Sequence, residues 1–159
     1  MSLSYNILQN QKSEEVAVFK DFLRINSITF EEKLLCVECS EPADLVYNNQ
    51  KYQLTIGDGQ YIGEIFAAKK YAINDSRRIV GRTRPTNEYL NTVLGQTLIK
   101  KKTKASRDVI LLIRIYTPGP YSDDELARAC QSFAVENMPS IDLWQQVVCF
   151  FFRDKIIEL

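Results

Sequence analysis

Apolar side chains recur along this chain in two rhythms, one near helical spacing and one near strand spacing, and the switches between them mark out the elements. From Ser13 to Ile25, Val16, Phe19, Phe22 and Leu23 fall three and four residues apart, which predicts an amphipathic helix. Ser13 can cap it, with Glu14 and Glu15 in the first turn, where the helix dipole favours acids. Leu34-Leu35-Cys36-Val37-Glu38-Cys39 reads as a strand. The run from Glu41 to Tyr47, the polar quartet Asn48-Asn49-Gln50-Lys51 and the run Tyr52 to Ile56, closed by Gly57-Asp58-Gly59, read as a β-hairpin. With positions 48 to 51 as the loop, Tyr47 is expected opposite Tyr52, Val46 opposite Gln53, Leu45 opposite Leu54 and Asp44 opposite Thr55. Opposed residues share a side, so Asp44, Val46, Gln53 and Thr55 form one expected face. Leu45, Leu54 and Ile56 with the two tyrosines form the expected core side.

Residues 60 to 73 fit either further sheet or a short helix, and Gly63 weakens both; 74 to 85 read as a basic loop. Thr86 opens a second helix that runs to about Lys102, with Glu88 in its first turn and Tyr89, Leu90, Val93, Leu94, Leu98 and Ile99 at helical spacing. Asp108 to Tyr116 is a nearly continuous apolar run, the pattern of a strand covered on both sides, and Thr117-Pro118-Gly119-Pro120 stops it. Ser122 and Glu125 stand in capping-box spacing ahead of a helix through Phe133 and Ala134, which Pro139 ends; Trp144 to Phe152 reads as another buried strand. The order α-β-β-β-α-β-α-β predicts an α/β (α+β) fold, a single mixed sheet flanked by helices, in one domain over residues 1–159.

Pro42-Ala43-Asp44 followed by Gln53-Leu54-Thr55 across a hairpin resembles the signature of the PD-(D/E)XK nuclease superfamily, a Pro-x-Asp-like step and then acid-x-Lys on the next strand. The resemblance spans about residues 13–116 and implies a restriction-endonuclease-like core. It further implies phosphodiester hydrolysis with Mg²⁺ or Mn²⁺, the ion held by Asp44 and Gln53 and completed by Glu15 of the first helix. Glu15 also reads simply as an acid at a helix start. Thr55 stands where the family carries lysine. In several members that lysine has moved to the second helix, which makes Lys101 and Lys102 the candidates here, although both also suit the negative end of that helix dipole. Glu38, Glu41, Asp58 and Glu64 are alternative sources of a carboxylate. Beside a metal-dependent nuclease stand two other readings: a non-catalytic module that keeps the nuclease fold, and a bacterial antitoxin- or immunity-like partner protein.

Composition narrows this picture. With 159 residues, 45% hydrophobic and 25% charged, the chain suits one globular core. Its formal net charge is zero, but residues 67 to 107 hold eleven basic side chains against two acidic ones. A basic middle suits a polyanion, so Arg77, Arg78, Arg82, Arg84, Lys100 and Lys104 are candidates for binding nucleic acid, DNA before RNA; the alternative is a solvated surface. The chain has no histidine, which removes Ser-His and Cys-His nucleophiles and histidine metal ligands together. Cys36-x-x-Cys39 has zinc-like spacing without a second pair and reads as two buried structural thiols. No apolar run approaches the roughly 20 residues of a membrane span, and the start of the chain lacks a secretory pattern, so the expected setting is cytoplasmic, with a homodimer left open.

Overall fold

Between Leu3 and Lys12 there is neither glycine nor proline, so nothing stops the first helix from extending past its expected start. In the computed structural model, which describes residues 2–37, 41–59, 86–116, 122–151 and 155–159, α1 spans Ser2–Ile25, and Ser13 is an exposed mid-helix residue rather than a cap. The helix ends in a Schellman motif. Ser27 takes the left-handed conformation at φ 58, and the amides of Ser27 and Ile28 donate to the carbonyls of Arg24 and Leu23 at 3.0 and 2.9 Å.

The remaining helices and strands among the described residues are β1 (Leu35–Cys36), β2 (Leu45–Tyr47), β3 (Gln50–Ile56), α2 (Thr86–Lys101), β4 (Val109–Ile115), α3 (Asp123–Glu136), the short α4 (Met138–Ile141), β5 (Gln146–Phe151) and β6 (Lys155–Glu158). Together the strands make one six-stranded mixed sheet in sequence order. β1 to β3 form an antiparallel meander, β3, β4 and β5 run parallel, and β6 returns antiparallel to β5. This is the expected α/β class with one strand more than the apolar pattern predicts. β6 was not anticipated because Ile156 and Ile157 are too short a run to stand out beside Lys155 and Glu158.

Helices cover both faces. Leu90, Leu94 and Phe133 of α2 and α3 pack on Leu111, Ile113 and Cys149. Phe19 and Leu23 of α1 pack on the opposite face, on Leu45, Leu54, Leu112 and Phe150. Double coverage is why β4 and β5 read as unbroken apolar runs. Gly57 permits the close approach of α2 to the sheet, since a Cβ there would lie 3.0 Å from both the Val93 and the Ile113 side chains. Ile99, expected on the buried stripe of α2, is 77% exposed. The buried position at that end belongs to Thr97, whose hydroxyl donates to the Val93 carbonyl at 2.8 Å.

The hairpin turn is shorter than expected. Asn48 and Asn49 both adopt positive φ, 48 and 65, so two residues suffice for a turn whose twist matches the strands. Tyr47 consequently pairs with Gln50, Val46 with Lys51 and Leu45 with Tyr52, in place of the predicted Tyr47–Tyr52 register. The slip is two residues, and side chains alternate with period two, so the division of faces is unchanged. Ile56, however, is 44% exposed rather than core.

The capping box of α3 is present: Glu125 Oε2 accepts the Ser122 amide at 2.7 Å, and Ser122 Oγ accepts the Glu125 amide at 3.2 Å. α3 ends at Asn137, whose side chain donates to the Phe133 carbonyl, and Pro139 lies in the first turn of α4 rather than ending α3. Cys36 is exposed on its edge strand, contrary to the expected buried thiol, whereas Cys130 and Cys149 are buried; Cys39 lies outside the described residues. No described helix is long and apolar enough to cross a membrane.

Candidate functional site

β2 begins at Leu45 while its partner β3 runs on to Ile56, so the antiparallel ladder gives out beside Leu54. The Asp44 amide makes one further ladder bond, to the Tyr52 carbonyl at 2.8 Å. Beyond that point the Asp44 carboxylate takes the place of a strand: Oδ2 accepts the Leu54 amide at 2.8 Å and the Gln53 side-chain amide at 2.5 Å. Asp44 therefore stands by Gln53, and the slip in register moves it away from the predicted position opposite Thr55. Gln53 is fully buried, and among the described residues its Oε1 has no hydrogen-bond partner. A buried polar oxygen without a donor costs about 1–3 kcal/mol, an expense most folds avoid. The reason for the burial is that Gln53 points to the face that α2 and α3 cover, beside Leu111 in the parallel register.

Next to this pair a cleft of about 290 Å³ opens at the sheet edge. Glu14, Glu15 and Val18 of α1 form one wall, Leu54, Thr55 and Ile56 the floor, and Lys100 and Lys101 of α2 the other wall. α1 is held there by Phe19, whose ring centroid lies 4.9 Å from that of Tyr52 and 5.3 Å from that of Tyr47, and Glu15 sits one turn before this anchor. Asp44 and Gln53 are not among the lining residues; Asp44 is joined to the lining residue Leu54 through that residue's amide.

Of the two candidate lysines only Lys101 meets the cleft; Lys102 is exposed on the 3₁₀ turn that follows α2. Burial pushes the Lys101 amine below the ordinary lysine pKa, while Asp44 and Glu15 pull it back up and Lys104 and Lys100 push it further down. One ammonium thus feels both candidate carboxylates. Because the folded pKa lies below the unfolded one, the unfolded chain binds more protons between the two values, and stability rises with pH across that window. Lys101→Met removes the cost of burying the charge. It is expected to melt above the parent at neutral pH, with the difference closing as the pH approaches the ordinary lysine value; thermal denaturation over that range measures it, and a constant difference would contradict it.

The other predicted residues separate clearly. Lys104 pairs with Glu41 at 3.1 Å, which ties the end of α2 to the segment before Asp44 and engages Glu41 away from the cleft. Asp58 is buried and accepts the Tyr116 amide and the Tyr89 hydroxyl, each at 3.1 Å, so its contacts join the end of β3 to α2 and β4. Glu38, Glu64, Arg77, Arg78, Arg82 and Arg84 lie outside the described residues. One charged residue escaped the sequence reading altogether: Arg114, within the apolar run of β4, pairs at 3.0 Å with Asp21 of α1. A lone arginine in such a run was the available signal, because a buried charge needs a counter-charge.

As a test for a divalent cation, the donor set holds hard oxygens of the right kind: the Asp44 carboxylate with both its hydrogen bonds on Oδ2, the orphaned Gln53 carbonyl, and Glu15 across the cleft. Among the described residues, no group of three His, Cys, Asp or Glu side chains converges as a ready-made metal centre. Taken by donor type alone, these oxygens are of the kind that a divalent cation accepts. No family model, curated protein or solved structure matches this chain.

Proposed function

We propose that this protein acts on nucleic acid as a divalent-cation-dependent phosphodiesterase, on a restriction-endonuclease-like arrangement of its sheet and helices. The observation that carries the proposal is the buried Gln53 side chain, whose carbonyl is unpartnered among the described residues and whose amide donates to Asp44, itself bonded to the cleft residue Leu54. In this reading Asp44, Gln53 and Glu15 supply oxygen ligands to Mg²⁺ or Mn²⁺. The ion, when bound, would supply Lewis acidity and lower the pKa of a water molecule. Lys101 takes the role of the strand lysine that Thr55 lacks, holding a phosphate oxygen from the opposite wall and offsetting charge that develops on it. Lys100 extends that cationic edge, and the Thr55 hydroxyl donates to phosphate without contributing charge. Gln53 contributes no negative charge, so the ion is held less firmly than by two carboxylates.

Mn²⁺ titration by calorimetry, run beside a plasmid-nicking assay, tests this. Asp44→Asn is expected to weaken ion binding at least about tenfold, the loss of roughly 1.4 kcal/mol, and to abolish nicking. Ion binding that Asp44→Asn leaves intact would move the site elsewhere. A second reading, a module that binds nucleic acid without turnover, is favoured by one feature: Thr55 and Gln53 are both uncharged where the resemblance expects Lys and an acid. Asp44-dependent ion binding with no cleavage under Mg²⁺ or Mn²⁺ would select it.

A further inference from the structure

Resting on the reading of the cleft as a phosphodiester site, we infer that it receives a single unpaired nucleotide, so that the preferred substrate is a single strand or a frayed end rather than intact duplex. Its lining is divided. Lys100 and Lys101 stand on the α2 wall, Glu14 and Glu15 on the α1 wall, and Val18, Leu54 and Ile56 form an apolar strip. Ile56 is the informative member: a large aliphatic side chain left 44% exposed on the floor of a concave charged site. Phosphate alone has no use for that strip.

A duplex presents its phosphates outward and keeps its bases stacked inside, so it would meet the two lysines and leave the apolar floor empty. A splayed nucleotide uses every part. Its phosphate lies against Lys100 and Lys101, its base packs flat on Val18 and Ile56, and Glu14 accepts from an exocyclic amine. The volume agrees, since about 290 Å³ lies at the small end of ligand sites and suits one base and its sugar, not a base pair. α1 and α2 both contribute to the lining of this cleft.

Fluorescence anisotropy in EDTA tests this without chemistry, using one labelled mixed-sequence oligodeoxynucleotide, its blunt duplex and its RNA counterpart at fixed moderate salt. The single strand is expected to bind at least about tenfold more tightly than the duplex, the size of burying a small apolar surface against Val18 and Ile56. Ile56→Ser, which removes the apolar surface without adding charge beside Lys100 and Lys101, is expected to bring single-strand binding down to the duplex level; because Ile56 is already exposed, the variant should fold, and circular dichroism checks it. Asp44→Asn should keep the preference, so loss of cation binding or cleavage and loss of strand preference are read separately. Equal binding of both forms, tighter binding of duplex, an unaffected Ile56→Ser, or no binding of any oligonucleotide each overturns the inference. DNA and RNA single strands binding alike would leave the sugar unread; a difference would assign the sugar to the cleft as well.

Discussion

Asp44→Ala is expected to cost about 3 kcal/mol of stability, far more than a half-exposed acid normally contributes. The reason lies in what the carboxylate satisfies. Oδ2 is the acceptor for both the Leu54 amide at the end of the ladder and the side-chain amide of Gln53. With Ala at 44, Gln53 would be fully buried with its amide and its carbonyl both unpartnered. For a chain of this size the melting temperature should fall by roughly 6–12 °C. Asp44→Asn keeps a carbonyl acceptor in place and should lose only about 1 kcal/mol. Pairing Asp44→Ala with Gln53→Leu should recover most of the loss, because removing both partners costs less than stranding one. Thermal and urea denaturation of the set measures this. If the double variant were as unstable as Asp44→Ala, the bond between the two side chains would not be the cause. The comparison also separates stability from function, since Asp44→Asn should lose cation binding while remaining folded.

The ion pair between α1 and β4 is expected to be asymmetric. The Arg114 side chain is 7% exposed, with its guanidinium between the Tyr116 and Phe150 rings, 4.9 and 4.8 Å from their centroids. Its Nη1 donates to the Phe151 carbonyl at 3.3 Å, and among the described residues its Nε has no partner. Asp21 is 30% exposed and also pairs with Arg24 at 2.7 Å. Removing Asp21 leaves a buried cation without its counter-charge, so Asp21→Ala should cost about 3 kcal/mol. Arg114→Met keeps the apolar stem, removes the orphaned Nε and leaves Asp21 to Arg24 and water; it should cost about 1 kcal/mol or less. The double variant should be more stable than Asp21→Ala alone. Urea denaturation of the three proteins decides, and equal losses for the two single variants would contradict the buried-charge account.

Much of the fold was legible because it depends on neighbours in the chain. The apolar spacing of α2, the capping box of Ser122 and Glu125, and the unbroken runs of β4 and β5 are local patterns, and each element formed near its expected place. The errors are also local in origin. Ser13 looked like a cap because acids follow it, yet an uninterrupted stretch before it let α1 extend. The hairpin was given four loop residues because Gln50 and Lys51 are polar, but the left-handed tolerance of Asn48 and Asn49 closes the turn in two. A two-residue slip keeps the faces, so Asp44 and Gln53 remained neighbours even though their pairing changed.

What the chain by itself determined is the kind and order of the described elements other than α4 and β6, and which strand face carries Asp44, Gln53 and Thr55, because side-chain alternation and helix periodicity are properties of the backbone alone. Only the tertiary structure decided that Gln53 is buried with its carbonyl stranded, that Lys101 rather than Lys102 meets the cleft, and that Arg114 finds Asp21. Each of these depends on how a helix is phased and seated against the sheet. That seating is set by packing between residues far apart in sequence, such as Phe19 on Tyr52 and Val93 against Gly57, and no local pattern encodes it.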